Sequence, residues 1–415
     1  MPLFDTRGQI LKFLAVFICI FLINLAYEYS KFRKFLDNGE QDFIAKVEKN
    51  YLKTAQDGKI YRVLLLKTDD FKFYTTTQKG RKFSQNETLN VTAITLDVSF
   101  LDYLKGSFFM PNFRLQKLKS EQNFRDKMIA FITNQHENPK IAELYSILFF
   151  ATPISPELRL DINRWGIAHL IAISGYHLGV ILGLFYLVLT PIFRVVYAKF
   201  CPYRNYNFDI FIIAFIFISL YFWLLGVVPS FLRAFLMSLF GFYFLVRNIK
   251  ILSFLNLFFV ALICIAFLPS LALNIGFFFS VCGVFYIFLY VKHFGFLRHK
   301  FLHFLGLNFY LFFVMQIIVL KFFALISIQQ FGVILITYIF GLFYPASAVL
   351  HLFGFGSVFD EYLLKFLDFS LPYFWAKIPL FVFLGYIFLS LLAIKFKKIA
   401  LILPLFGALC FIFLL

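Results

Sequence analysis

The feature that most constrains this chain is a series of long apolar stretches that begins near Gly166 and continues to the C-terminus. A helix needs about 20 mostly apolar residues to cross a bilayer. The sequence therefore predicts a polytopic α-helical membrane protein, with its main membrane region in residues 166–415. The predicted spans lie near 167–193, 208–227, 231–246, 252–268, 271–291, 304–324, 328–350, 377–394 and 399–414.

The composition supports a membrane protein. Hydrophobic residues make up 61% of the chain and charged residues only 15%, whereas soluble domains carry roughly 25% charged residues. The 65 phenylalanines are interpreted as lipid-facing residues. The five cysteines show no zinc-ligand spacing, which argues against a structural zinc site and a disulfide framework. We expect neither a metal nor another cofactor.

The N-terminal part divides into three predicted segments. Residues 1–29 form an uncleaved anchor helix that starts in the cytoplasm, because basic residues precede its apolar stretch and no small-residue cleavage site follows. Residues 30–110 contain short alternating runs bounded by turn residues, which predict a small extracytoplasmic β domain of barrel type. In residues 111–165, cationic and apolar side chains recur together and predict amphipathic helices at the membrane surface.

Basic loops indicate which ends of the spans lie in the cytoplasm. Spans that cross the membrane in alternating directions place each basic loop in the cytoplasm up to residue 324. The alternation then fails once, so we expect that the segment 325–376 does not cross the membrane as simple spans. We expect Phe359 to Leu371 to form an amphipathic helix on the outer surface, with a re-entrant stretch near Gly341 to Pro345. The basic loops contain Arg194, Lys199 and Arg204; Arg247 and Lys250; Lys292, Arg298 and Lys300; and Lys395, Lys397 and Lys398.

A polar cluster within the apolar region contains His169, Ser174, Gly175 and His177. Polar groups at membrane depth usually face a cavity, a partner or a pathway. Glycine eases local unwinding, and backbone groups freed at Ser174-Gly175 could bind a phosphate. Three interpretations are open: a path or gate, a Ser–His nucleophile and base, or histidines that pack neighbouring helices. The catalytic interpretation lacks an acidic residue nearby.

Two further groups lie in later apolar stretches. Arg233 follows a Pro-Ser turn and has no acidic residue close in the sequence. It suits a phosphate backbone, or it extends to lipid headgroups. Asn274 and Ser280 are polar residues in an apolar stretch, and function and close helix packing explain them equally well.

Residues 166–177 carry a resemblance to a known family. They resemble the signature of the ComEC family of competence proteins, which reads roughly G-x-A-H-L-x-A-I-S-G-x-H. The stretch from Arg233 to Met237 resembles a second block of that family. Asn274 to Ser280 resembles a third, although Phe278 and Phe279 replace its usual Gln and Leu. The resemblance covers about residues 140–394.

The resemblance implies a channel, not an enzyme, that carries single-stranded DNA across the inner membrane during natural transformation. It implies an OB-like outer domain, an extracytoplasmic DNA-binding competence protein, a cytoplasmic ATP-driven DNA translocase and contact with membrane lipid. Whether the chain forms a homo-oligomer stays open. The metal signature H-x-H-x-D-H of the family's metallo-β-lactamase-like domain is absent from these residues, so we expect a separate nuclease or none. The alternatives are an intramembrane hydrolase using Ser174 and His177, and a small-solute or lipid transporter.

Overall fold

The computed structural model describes residues 7–37, 39–55, 58–81, 83, 87–118, 123–226, 228–246, 253–295 and 299–414. Within these ranges the side chains at 7, 229, 230, 233, 245, 300, 301 and 304 are not described. Arg247, Lys250 and Arg298 of the basic loops also lie outside the description. The chain forms two compact units. Over the described residues, one comprises Phe4–Ala130 and Ala261–Asn274, and the other comprises Phe131–Val260 and Ile275–Leu415.

Helices dominate the chain, and strands are concentrated near its start. The helices are α1 (Arg7–Leu36), α2 (Phe100–Lys105), α3 (Phe124–Thr133), α4 (Pro139–Phe150), α5 (Pro156–Arg164), α6 (Ala168–Ile171), α7 (Gly175–Phe200), α8 (Tyr206–Leu225), α9 (Pro229–Val246), α10 (Phe254–Phe267), α11 (Ile275–Phe294), α12 (Lys300–Phe322), α13 (Val333–Leu352), α14 (Asp360–Asp368), α15 (Leu380–Ala393) and α16 (Lys397–Leu414). The strands are β1 (Glu40–Thr54), β2 (Ile60–Lys67), β3 (Lys72–Gln78), β4 (Thr88–Ile94), β5 (Ser107–Phe109), β6 (Asn112–Leu118), β7 (Leu325–Ser327) and β8 (Tyr373–Trp375).

The first six strands form a closed barrel. The order β3-β2-β1-β4-β6 is antiparallel throughout, and β5 pairs in parallel with β3. Only Met110 and Pro111 separate β5 from β6. The N–H of Met110 donates to the carbonyl of Tyr74, and the N–H of Ile94 donates to the carbonyl of Pro111, both at 2.9 Å. Because β5 and β6 act as one bent strand, the ring closes with the connectivity of the OB-like barrel predicted from the sequence.

The barrel core is apolar and includes the end of α1. Alternate residues of the strands point inward, and Leu64, Leu66 and Phe73 are fully buried. Phe35 of α1 lies in the same core, with its ring 5.3 Å from that of Phe71. Helix α1 therefore continues past the predicted end of the anchor at residue 29 and packs its last turn on the barrel.

The structure corrects the amphipathic helices predicted over residues 111–165 in two places. Residues 112–118 form strand β6, because Leu115 pairs opposite the inward-facing Val91 and completes the barrel. Helix α4 is also not a surface helix, since Leu144, Tyr145 and Leu148 are almost completely buried. Cross-strand and helix packing outweigh the local amphipathic pattern here.

The predicted class of polytopic helical membrane protein is confirmed. Among the described residues, seven helices are long and apolar enough to span a membrane. Shorter apolar helices lie at 234–244, 254–267 and 380–393. The predicted stretch 167–193 is interrupted, because its long helix begins only at Gly175. The seven are Gly8–Leu36, Gly175–Phe200, Tyr206–Leu225, Ile275–Phe294, Leu305–Phe322, Ile328–Leu352 and Lys397–Leu414.

Residues 325–376 form a returning segment. Ile326 in β7 pairs directly with Phe374 in β8, so the two ends of this segment lie next to each other. Helix α13 leads away from this strand pair, and the predicted amphipathic helix of 359–371 appears as α14 in the part of the chain that leads back to β8. The predicted re-entrant stretch at Gly341 to Pro345 is wrong in position, because both residues lie within the unbroken α13 and the chain reverses after Leu352.

Candidate functional site

The His-Ser-Gly-His motif forms a short helix, a break and the start of a long helix. Gly166 has a φ of +67°, a left-handed conformation that favours glycine, and a Cβ there would lie 3.3 Å from Cγ of Gln330. Helix α6 then lasts only four residues. Ser174 is extended, with φ −141° and ψ −178°, and α7 begins at Gly175. The helix break predicted at Ser174-Gly175 is therefore present.

Ser174 and His177 cap the first turn of α7. The hydroxyl of Ser174 accepts a hydrogen bond from the N–H of Tyr176 at 3.3 Å. Nδ1 of His177 accepts one from the N–H of Ser174, also at 3.3 Å. This is a capping box in which histidine occupies the position usually held by Glu or Gln. The three-residue spacing of Ser174 and His177 thus has a local structural cause.

The imidazole of His177 is fully buried, yet one of its nitrogens lacks a partner. The ring of Tyr344 lies 4.7 Å away and that of Phe340 5.4 Å away, both edge to face. Since Nδ1 accepts a hydrogen bond, the neutral ring carries its proton on Nε2. In the part of the chain that the structure describes, Nε2 has no hydrogen-bond partner. An unpaired buried donor costs about 1–3 kcal/mol, so this atom is suited to a ligand.

The start of α9 lies next to this turn. A Cβ on Gly175 would lie 3.5 Å from the Cβ of Ala234, so the two helices approach closely here. The backbone of Arg233 is therefore near the first turn of α7. Its side chain lies outside the description, and its predicted contact with phosphate stays a prediction.

No hydrogen bond or ring contact among the described residues joins His169 or Ser280 to His177, although His169 is close enough for its charge to act on His177. His169 is exposed on α6, and its Nδ1 lies 3.2 Å from the carbonyl oxygen of Gly166, three residues earlier in the chain. Ser280 is half-buried in α11, a helix that packs against α9. Asn274 ends the 3-10 turn Pro269–Leu273 and belongs to the other compact unit. Roles for these three residues along a path stay predictions.

Sequence reasoning missed the aromatic residues of α13 that cover His177. Tyr344 and Phe340 stack on each other at 5.8 Å. The hydroxyl of Tyr176 donates to the carbonyl of Thr337 at 2.8 Å and fixes α7 to α13. In a chain with 65 phenylalanines, an aromatic pair in an apolar helix gives no distinguishing signal.

A second candidate site is the outer face of β1, β2 and β3. Lys46, Lys67 and Lys72 lie side by side across these strands. Lys46 pairs with Asp126, and Lys72 lies 2.7 Å from Glu48. Burial, followed by the charge of Lys72, lowers the pKa of Lys67 between them. Like charges opposite one another destabilise a sheet, and the carboxylates of Asp126 and Glu48 offset part of this repulsion. The three lysines still outnumber the two carboxylates, so an anionic ligand would relieve the rest.

Aromatic side chains lie beside the three lysines on the same outer face. Leu65 pairs with Tyr74, and Tyr74 pairs with Phe109, which is 52% exposed. On β1, the ammonium of Lys49 lies 5.6 Å from the ring of Tyr51. A surface that combines stacking rings with lysines is typical of OB folds that bind single-stranded nucleic acid.

These features define a multi-span helical membrane protein with a small β-barrel and a buried, partly unpaired histidine at a helix start. A sequence model described as Competence protein matches residues 151–415, and the chain belongs to this family. The resemblance to competence proteins is thereby confirmed. No curated protein and no solved structure matches the chain. Family membership supports a role in competence, the uptake of DNA.

Proposed function

We propose that this chain is the channel through which single-stranded DNA crosses the inner membrane during natural transformation. The observation that most supports this proposal is that, among the described residues, the Nε2–H of His177 has no partner and lies in the first turn of α7, whose first N–H groups lack intrahelical partners. Helix starts bind phosphate, because their N–H groups lack intrahelical partners and the helix dipole favours negative charge. A passing phosphate would give the buried imidazole the acceptor it lacks.

The covered state of His177 corresponds to a closed channel. Tyr344 and Phe340 of α13 lie edge to face against the imidazole, which is fully buried. For a phosphate to reach Nε2, these rings have to move away from α7. We propose that they form the gate and that His177 and Arg233 line the path behind it. His169, Asn274 and Ser280 complete the proposed path.

The barrel is the proposed receiver of the strand. Bases stack on Tyr74, Tyr51 and Phe109, while the lysines of the same face bind phosphates. This role requires an extracytoplasmic barrel and a cytoplasmic N-terminus. An extracytoplasmic DNA-binding competence protein would deliver the DNA, and a cytoplasmic ATP-driven translocase would pull it. Membrane lipid is a further proposed partner, whereas a separate nuclease and a homo-oligomer stay open.

A hydrolase is the second candidate, because Oγ of Ser174 lies 3.4 Å from Nδ1 of His177. That distance is near the range of a nucleophile and its base. However, Nδ1 already accepts the N–H of Ser174. No carboxylate contacts His177 among the described residues to orient it as a base. The contacts therefore favour the helix cap over catalysis.

The test is DNA entry in a deletion strain that carries plasmid-borne variants. We expect deletion to abolish nuclease-protected DNA inside the cell while DNA capture at the surface persists. His177→Ala should reduce entry at least about tenfold, as for loss of a hydrogen bond to a charged group. His299→Ala, at an exposed histidine, is the matched control and should have no effect. Normal entry in the deletion strain would overturn the proposal.

A further inference from the structure

A buried cluster distinct from the α7 site joins His136, His351 and Asp360. Nε2 of His136 lies 3.0 Å from Nε2 of His351. Nδ1 of His136 lies 2.9 Å from the carboxylate of Asp360. The side chain of His136 is fully buried and that of Asp360 is 19% exposed. The three residues come from the α3–α4 connection, the last turn of α13 and the first turn of α14.

The acceptors around the two imidazoles determine where their protons lie. Nδ1 of His351 is 2.6 Å from the carbonyl of Ser347, which can only accept, so this nitrogen carries a proton. A neutral His351 then presents a lone pair on Nε2. The Nε2–H of His136 donates to that lone pair, while Nδ1 of His136 shares a proton with Asp360. One proton therefore occupies the space between the two Nε2 atoms.

We infer that His136 and His351 form a binding site for a single proton, and that uptake of a second proton releases the end of α13. The added proton bonds to the Nε2 lone pair of His351. Two N–H donors would then face each other across 3.0 Å, and the hydrogen bond between the rings has to break. No covalent bond breaks within the protein in this step. The partly exposed Asp360 gives the proton a route from solvent.

The release would free several contacts at the end of α13. The side chain of Gln135 donates to the carbonyl of His351 at 3.1 Å and accepts the N–H of Gly356 at 2.9 Å. These bonds attach the α13–α14 turn to the α3–α4 connection. Once the imidazoles separate, this bridge loses its support, so the effect extends over residues 347–360.

The other titratable groups around the cluster are few. From α4, Tyr145 stacks on His136 at 4.6 Å and also contacts His351. Burial, followed by the charge of Asp360, raises the pKa of Tyr145, so it stays neutral. Glu361 of α14 faces away and pairs with Lys365 at 2.6 Å. Among the described residues, no group of three such side chains is arranged to hold a metal ion.

The proton site lies on the same face of α13 as the proposed gate. His351 follows Tyr344 by seven residues, which is two helical turns. The ring of Phe149 contacts both of them, at 5.2 Å and 5.8 Å. Release at His351 would therefore loosen the packing of Tyr344. This link to passage rests on the proposed function, whereas the proton site itself does not.

The test is hydrogen–deuterium exchange by mass spectrometry on the full chain in lipid nanodiscs between pH 8 and pH 5. Exchange at the imidazole C2 positions reports protonation of His136 and His351, and amide exchange reports opening. After correction for intrinsic rates, we expect amide exchange in residues 347–360 to rise about fivefold as His351 titrates. The β7–β8 pair should not change. Because no DNA is used, this result is independent of the channel proposal.

Three variants complete the test. Asp360→Asn should shift the opening to lower pH, because the negative charge that favours a protonated His351 is lost. His351→Gln should make amide exchange independent of pH. Gln135→Ala is the control, since it removes the bridge and keeps both imidazoles, so its titration should match the wild type. Titration of His351 without faster amide exchange, or a stoichiometric transition metal bound at the histidines, would overturn the inference. If His351→Gln fails to fold, the pH at which amide exchange rises in the wild type and in Asp360→Asn still tests the inference.

Discussion

The N–H of Ser174 donates to Nδ1 of His177 across 3.3 Å, and this bond fixes which imidazole nitrogen remains unused. Because the cap occupies Nδ1, the buried Nε2–H is left without a partner in the part of the chain that the structure describes. One hydrogen bond therefore starts a membrane helix and also leaves a donor available for a phosphate. The two roles can be separated by substitution.

The first prediction concerns His177→Gln. Glutamine at this position completes a capping box, so its side chain can accept the N–H of Ser174. It cannot at the same time present the imidazole Nε2–H to a phosphate. We expect normal membrane levels and thermal stability, with DNA entry reduced about tenfold. Ser174→Ala is the companion variant, and we expect it to weaken the cap by about 1 kcal/mol and to retain entry. Loss of entry in Ser174→Ala with full membrane levels would instead favour a hydrolase.

The local part of this site could be predicted from the sequence. The contacts between residues far apart in the chain could not, because only the folded structure brings them together. The polarity of Ser174 and His177 within an apolar stretch marked the site, and Gly175 marked the break. The cover by Tyr344 was invisible because it lies far along the chain. The cluster of His136, His351 and Asp360 was missed for the same reason, since its members are scattered in sequence and only packing of α13 and α14 brings them together.

The fold also contains features that the sequence predicted and features that it did not. Alternating runs in β2 to β4 predicted the barrel, because each strand buries one face. The strand at 112–118 was predicted as a helix, since its cationic residues mask the alternation and only the pairing of Leu115 with Val91 reveals it. The returning segment was expected from the charge pattern, but its turn could not be located, because an internal Pro345 suggested a break that α13 does not have.

The second prediction concerns the outer face of the barrel. Tyr74→Ala in the full chain should weaken binding of a single-stranded oligonucleotide by roughly 5–150-fold, since stacking contributes about 1–3 kcal/mol per base. Fluorescence anisotropy with purified protein measures this. Phe113→Ala is the control, because Phe113 is an exposed aromatic residue that lies on β6 and not on β1 to β3. Equal losses in both variants would argue against this face.

The third prediction concerns Lys67, whose pKa is lowered by burial and then by Lys72. Its ammonium form is disfavoured in the folded barrel, so the charge costs stability at neutral pH. That cost disappears as pH rises through the folded pKa towards the unfolded value of about 10.4. Lys67→Gln should therefore raise Tm at pH 7 by about 1–3 °C, and the difference should shrink towards pH 10. Thermal unfolding followed by fluorescence checks this. The exposed Lys53→Gln should show no such trend, and a pH-independent difference for Lys67→Gln would refute the assignment.

The fourth prediction concerns the returning segment. Ile326→Cys and Phe374→Cys, introduced together in a chain whose five natural cysteines are replaced, should form a disulfide, since the two positions pair directly across β7 and β8. Mobility on non-reducing gels measures the cross-link. Ile326→Cys with Phe381→Cys is the control pair and should remain reduced. Failure of the first pair to cross-link would contradict the return of the chain after α13.

The channel account is tested most directly by trapping DNA in transit at the start of α7. A benzophenone amino acid in place of Tyr176, next to Ser174 and His177, should form a covalent adduct with incoming single-stranded DNA on illumination of cells during uptake. The same group in place of Leu187, which is 74% exposed on the same helix, should form none. Adducts at 176 and not at 187 are the predicted result. Continued DNA entry without any adduct at 176 would contradict passage through this site.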